Sequence, residues 1–91
     1  MKVYKYYTDG GHGWLAVKFT DLITLGILQK ISRYSYYRGK TAYLEEDRDM
    51  SIFFDKYKEK YGEIPHYQEK ITDNSSPIRQ YGHYPYDCIP D

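Results

Sequence analysis

The segment 33–46 constrains the fold of this chain most, because two short runs of tyrosine and other strand-forming residues flank one glycine, Gly39. This pattern is typical of a β-hairpin. Two turns fit it: Arg38-Gly39 as a type I′ pair, or Gly39-Lys40 as a type II′ pair with glycine first. The choice between them sets the register of the two strands.

Three tyrosines share one face of this hairpin in either register. The later turn places Tyr36 opposite Tyr43, and the earlier turn places Tyr34 there. Tyrosine accounts for 13 of the 91 residues, against three Phe and one Trp. Because tyrosine offers a large contact area at low conformational cost, such a composition is typical of recognition surfaces.

The rest of the chain predicts a small α+β domain around the hairpin. Hydrophobic periodicity places the other elements in this order: strands at 2–7 and 14–18, a helix at 20–25, then after the hairpin a helix at 50–61 and a strand at 64–72. We expect a single domain with a small antiparallel or mixed sheet of about four or five strands and two helices packed on one face.

Several local signals predict how the elements end and which side chains are buried. Thr20 is expected to cap the first helix, and Asp47 or Asp49 the second. Gly62 is placed to end the second helix. Pro65 restricts the strand at 64–72 to an edge or delays its start. Tyr67 and Ile71 are expected to point inward, and Trp14 is expected at the rim of the core.

Length and composition limit the architecture and the compartment. A doubly wound nucleotide-binding fold does not fit, since one βαβ unit takes about 30 residues. We expect a compact domain over residues 1–72 and a Pro- and Tyr-containing tail over residues 73–91, docked or flexible. The single cysteine, Cys88, indicates a reducing compartment. No apolar run is long enough for a membrane span, so we predict a soluble, cytoplasmic protein.

The loop 9–14 is the most site-like stretch, because three glycines surround His12 and precede Trp14. The carboxylates at the second helix start allow two interpretations: they cap the helix, or they bind a divalent cation. These carboxylates are Glu45, Glu46, Asp47 and Asp49. A small metal-dependent hydrolase using Glu45, Glu46 and His12 is therefore one alternative, although no catalytic, metal or cofactor residue is assigned.

A single-stranded nucleic-acid binder is a second alternative. The hairpin carries Arg33, Arg38 and Lys40 beside its tyrosine row, and basic groups beside stackable rings suit single strands. The formal net charge is zero, which argues against a general nucleic-acid binder. The sequence thus favours a nucleic acid less than a protein as the partner.

Four segments, at 9–17, 34–36, 43–47 and 76–81, resemble in sequence and order small accessory proteins carried by bacteriophages and prophages. That group has no assigned activity, so the resemblance implies context only: a compact protein in the host cytoplasm that acts by binding a host protein, such as a defence component.

These observations favour a non-enzymatic protein-binding module without cofactor, which inhibits or modulates a host protein. Self-association through an unpaired strand edge is a further alternative. The residues predicted to contact the partner are His12, Trp14, Tyr34, Tyr36, Arg38, Tyr43, Arg79 and Tyr81.

Overall fold

The computed structural model describes residues 2–72 and 76–84 of the chain. Its strands are β1 (Val3–Thr8), β2 (Gly13–Lys18), β3 (Tyr36–Arg38), β4 (Thr41–Glu45), β5 (His66–Ile71) and β6 (Gly82–His83). Its α-helices are α1 (Phe19–Thr24) and α2 (Asp49–Tyr61), and a short 3₁₀ helix spans Pro77–Gln80. No helix among these residues is long and apolar enough to cross a membrane.

All six strands form one mixed sheet in the order β5-β1-β2-β4-β3-β6. Strand β5 runs parallel to β1, and every other neighbouring pair is antiparallel. The α+β prediction is confirmed, with more strands than expected, because β6 is contributed by the segment that was assigned to the tail.

The hairpin adopts the later of the two turns. Tyr36 lies opposite Tyr43, which leaves Gly39 and Lys40 in the turn. Gly39 has φ +59°, and no described residue other than glycine has a positive φ. This combination matches a type II′ turn, in which only the first central residue needs the left-handed region.

Both helices pack on one face of the sheet, where the hydrophobic core lies. Leu22 of α1 and Phe53 of α2 are completely buried against Leu15 and Leu44 of the central strands. The Phe53 ring meets the Tyr4 ring of β1 edge to face, with the centroids 5.2 Å apart. The predicted apolar stripe of α2 is therefore its core face.

The two helix starts differ from prediction. Helix α1 begins one residue earlier than expected, so Thr20 lies inside it and no side chain caps it. At α2, Glu45 accepts hydrogen bonds from three successive backbone N–H groups, those of residues 47–49. Arg48 is the N-cap of α2 and no side-chain capping hydrogen bond is present among the described residues, so the expectation that Asp47 or Asp49 caps the helix was wrong. The Glu45 carboxylate instead holds the turn that leads from β4 into the first residue of α2. Gly62 ends α2 with φ +81°, as predicted.

Strand β5 is an edge strand and begins at His66, directly after Pro65. Tyr67 is 46 % exposed, but its ring lies 5.8 Å from that of Phe54 of α2, so it faces the helices as expected. Ile71 is 74 % exposed, so the expectation that it is buried was wrong. The reason is the strand's outermost position, since it has a neighbouring strand on one side only. Self-association through this edge stays a prediction.

Residues 76–84 pack across the sheet face opposite the helices and then turn around its β3 edge. The backbone N–H of Ser76 donates to Asp9, and β6 pairs with β3. Tyr84 then enters the core on the helix side, where it is completely buried. We call residues 76–84 the strap. Residues 73–75 and 85–91, including Cys88, lie outside the described residues.

Candidate functional site

The sheet face opposite the helices carries a continuous set of aromatic rings. Strand alternation places Trp14 of β2, Tyr43 of β4 and Tyr36 of β3 on this face, because their neighbours Leu15, Leu44 and Tyr37 face the helices. Trp14 and Tyr36 meet with their ring centroids 6.2 Å apart. We call this surface the aromatic face.

The strap covers part of the aromatic face. Tyr81 packs on Tyr43 with a centroid distance of 5.1 Å, and His83 packs on Tyr36 at 5.0 Å. Burial raises the pKa of the Tyr43 hydroxyl, and electrostatic interaction with the Tyr81 hydroxyl raises it further. The expected open row of tyrosines is therefore half covered, and of its three rings only Tyr34, at 79 %, is highly exposed.

Arg79 fixes the strap to the loop between β1 and β2. Its Nε and Nη2 donate to the two carboxylate oxygens of Asp9, at 2.6 and 3.0 Å. The guanidinium also lies over the Trp14 ring, 5.3 Å from the centroid, in a cation–π arrangement. Trp14 is only 2 % exposed under this cover, rather than at the rim of the core as expected.

Asp9 also organises its own loop. Its Oδ1 accepts from the backbone N–H groups of Gly11 and His12, which is the Asx-turn arrangement. The Arg79 guanidinium, with the Ser76 N–H, holds the pKa of the Asp9 carboxyl well below its usual range, although burial opposes this. One carboxylate thus joins the glycine-rich loop to the strap.

Stability should therefore fall in acid partly through Asp9. A carboxyl whose pKa is lower in the folded state contributes stability above its unfolded pKa of about 3.9, and this contribution is lost as pH falls below that value. Asp9→Asn should lose less unfolding free energy than wild type between about pH 6 and about pH 2. Urea titrations followed by Trp14 fluorescence measure this loss.

The control for that comparison is Asp55→Asn, which removes an exposed carboxylate from α2. It should keep the acid sensitivity of the wild type. Equal acid sensitivity of Asp9→Asn and wild type would contradict the role of the Asp9–Arg79 pair.

A cleft of about 430 Å³ opens beside the covered part of the aromatic face. Trp14 and Tyr36 line it together with Tyr34, while Arg79 and Arg48 supply cations. The other lining residues are His12, Glu45 and Asp47. We call this the aromatic cleft. It combines flat rings with charged groups of both signs.

The eight residues predicted to contact a partner all lie at the aromatic face. Five of them line the aromatic cleft: His12, Trp14, Tyr34, Tyr36 and Arg79. The other three adjoin it through the strap, since Tyr81 packs on Tyr43 and the Arg38 guanidinium lies 5.3 Å from the Tyr81 ring centroid. Their binding role stays a prediction.

The acidic residues near the α2 start have separate contacts. Glu45 accepts from the N–H groups of the turn before α2 and of its first residue, Glu46 accepts from the Tyr6 hydroxyl, and Asp49 accepts from two serines. Among the residues that the structure describes, no group of three or more His, Cys, Asp or Glu is arranged to hold a metal ion. Glu45 therefore fixes the turn into α2 without capping the helix, and Asp49 binds serines instead.

No protein-family model matches the chain, and neither the curated proteins nor the solved structures contain a match to it. The description of this candidate site therefore rests on the geometry of the chain itself.

The sequence placed Asp9 in the site-like loop 9–14 but did not predict its pairing with Arg79, and it gave no role to Arg48. Asp9 carried a usable signal, because an aspartate before two glycines is typical of an Asx turn. Arg48 carried none, since the fold brings it beside Tyr34 from a turn 14 positions along the chain.

Proposed function

We propose that this protein is a non-enzymatic binding module that modulates a host protein, and that the aromatic cleft receives the partner. The observation that supports this most is the convergence of five predicted contact residues on one cleft of about 430 Å³. Tyrosine and arginine are enriched in binding hot spots, and this cleft is lined by two of each. Trp14, 2 % exposed, supports Arg79 from below.

Tyr34 is the residue on which binding should depend most. Its ring is 79 % exposed at the cleft wall, so it can be buried by a partner without first leaving the core. Its backbone is fixed, because the Tyr34 N–H donates to Ser32 Oγ. An exposed aromatic side chain on a fixed backbone loses little conformational entropy when it binds.

Two observations support a folded host protein as the partner: the charges of the aromatic cleft and the resemblance to phage accessory proteins. Charges of both signs at the rim suit the mixed polar surface of a folded protein. The resemblance to phage accessory proteins supports a host protein, including a defence component, as the target. The proposal makes the chain an inhibitor or modulator that acts by occupying its target's surface.

Affinity capture from nuclease-treated bacterial lysate tests this proposal, with Tyr61→Ala as the matched control for Tyr34→Ala. Tyr61 is also an exposed tyrosine, at 51 %, but it lies at the end of α2 and packs on Tyr57. Wild type and Tyr61→Ala should retain the same host protein in stoichiometric amount. Tyr34→Ala should bind it at least about tenfold more weakly, as expected for a hot-spot residue.

Two results would overturn the proposal. One is that the wild-type chain retains no stoichiometric protein. The other is that Tyr34→Ala and Tyr61→Ala retain a partner equally well, because the partner would then bind elsewhere on the chain.

A further inference from the structure

A second and larger cleft lies next to the aromatic cleft. It measures about 660 Å³ and shares Tyr34 and Arg48 with its neighbour. Its basic lining residues are Lys30, Arg33, Arg48 and His83. We call it the basic cleft. Its volume lies within the range of about 300–1,000 Å³ that is usual for small-molecule sites.

The charge of the basic cleft is one-sided. None of its lining residues is acidic. Within the described part of the chain, the side chains of Lys30, Arg33 and Arg48 form no ion pair with a carboxylate. Carboxylates lie in the neighbouring clefts, where Asp55 lines one with Lys30 and Arg48, and where Glu45 and Asp47 line the aromatic cleft. The lining of the basic cleft itself carries three cations and no carboxylate, which makes its local potential positive.

The wall that presents Arg33 and Tyr34 is fixed from behind. Ser32 donates to the buried Asp49 through both its N–H, at 3.0 Å, and its hydroxyl, at 2.7 Å. His83 Nδ1 donates to the Arg33 carbonyl oxygen at 2.9 Å, since a carbonyl can only accept. The completely buried Asp49 carboxylate also contacts this wall, and its single negative charge offsets part of the potential of the three cations.

The chemistry of the lining indicates its ligand. Arginine side chains bind phosphate through paired N–H groups, and lysine adds a point charge. The exposed Tyr34 ring at the edge of the cleft offers a flat surface on which an aromatic base can stack. We propose that the basic cleft binds a nucleotide unit, in which a phosphate group is joined to a nucleobase through a sugar.

Two sources offer this chemistry, a free nucleotide and a unit of a single-stranded nucleic acid. Titration calorimetry at low salt with ADP and with a short oligothymidylate separates them. ADP binding without oligothymidylate binding assigns the cleft to free nucleotides. Tighter binding of oligothymidylate assigns it to single strands, and either result supports the proposal.

Adenosine and inorganic pyrophosphate test the two halves of the ligand. Adenosine lacks the phosphates and pyrophosphate lacks the base, so each should bind at least about tenfold more weakly than ADP. Adenosine binding as tight as that of ADP would contradict a phosphate site. Pyrophosphate binding as tight as that of ADP would contradict a site that includes the base.

Arg33→Gln and Lys58→Gln form a matched pair of variants. Arg33→Gln removes a cation from the cleft but keeps the backbone carbonyl that His83 uses, so the wall remains in place. Lys58 is an exposed lysine of α2 outside the cleft lining. Arg33→Gln should weaken binding about tenfold and Lys58→Gln less than about twofold.

The proposal is overturned if neither ADP nor oligothymidylate binds the wild-type chain, or if the two variants bind equally. Failure of this proposal can be told apart from failure of the proposed function. The nucleotide titration uses Arg33→Gln, whereas the test of the proposed function measures a protein captured from nuclease-treated lysate and uses Tyr34→Ala.

Discussion

Tyr84→Ala is expected to lower the free energy of unfolding by about 3–5 kcal/mol, the usual cost of removing a large aromatic side chain from a core. Tyr84 is completely buried, and its ring lies 5.9 Å from that of Phe19. Its hydroxyl donates to the Leu28 carbonyl oxygen, and its N–H donates to the Ser35 carbonyl oxygen. Urea unfolding followed by Trp14 fluorescence measures the change.

Tyr84 also anchors the end of the strap in the core. The strap carries Arg79 and Tyr81 on the aromatic face. Loss of this anchor should let the strap open and expose Trp14, so acrylamide should quench the tryptophan more strongly than in wild type.

Two variants control the Tyr84 experiment. Tyr84→Phe keeps the ring and removes one hydrogen bond, so it should cost about 1–2 kcal/mol. Tyr34→Ala removes an exposed tyrosine and should change stability by less than about 0.5 kcal/mol. A loss below about 1 kcal/mol for Tyr84→Ala would contradict packing of the strap on the domain.

The hairpin and the α2 stripe could be predicted from the sequence because their signals are local. Gly39 between two tyrosine-rich runs predicts a hairpin, and the spacing of Phe53 and its neighbours predicts a helix face. The register could not be chosen beforehand. Both turns place glycine where a positive φ is allowed, so only the packing of the whole sheet selects one.

The strap could not be predicted because its structure depends on contacts distant in the chain. Asp9 and Arg79 are 70 positions apart, which is farther than any local sequence motif extends. The segment that contains Arg79 is rich in turn-forming residues, which favours a loop and gives no sign of where it packs. Ile78 and the tyrosines of this segment indicate that it contacts the domain, but not where.

The exposure of the predicted rings follows from the strap as well. Sequence alternation correctly grouped Tyr36 with Tyr43, but it could not show that Tyr81 and His83 cover them. The predicted site was an open row of rings on the hairpin, whereas the candidate site in the structure is a cleft at the uncovered end of that row. Tyr34 belongs to both arrangements, which makes it the residue best suited to test the proposed function.

Asp49→Ala should cost about 3 kcal/mol of unfolding free energy, because it leaves buried hydrogen-bond donors without an acceptor. Asp49 is completely buried, and its Oδ2 accepts from the Ser32 N–H and from the hydroxyls of Ser32 and Ser35. The serine hydroxyls can rotate toward other acceptors, whereas the Ser32 N–H is fixed by the backbone. The loss of the Ser32 N–H hydrogen bond is therefore the part of the cost that structural relaxation reduces least.

Asp55→Ala removes an exposed carboxylate from the same helix and should change stability by less than about 0.5 kcal/mol, so it is the matched control. Thermal and urea unfolding of the two variants measure the difference, and equal effects would contradict a buried anchor at Asp49. The same carboxylate fixes Ser32 and, through Ser32 Oγ, the Tyr34 backbone. Asp49→Ala should therefore also weaken binding in both clefts, since Tyr34 lines each of them.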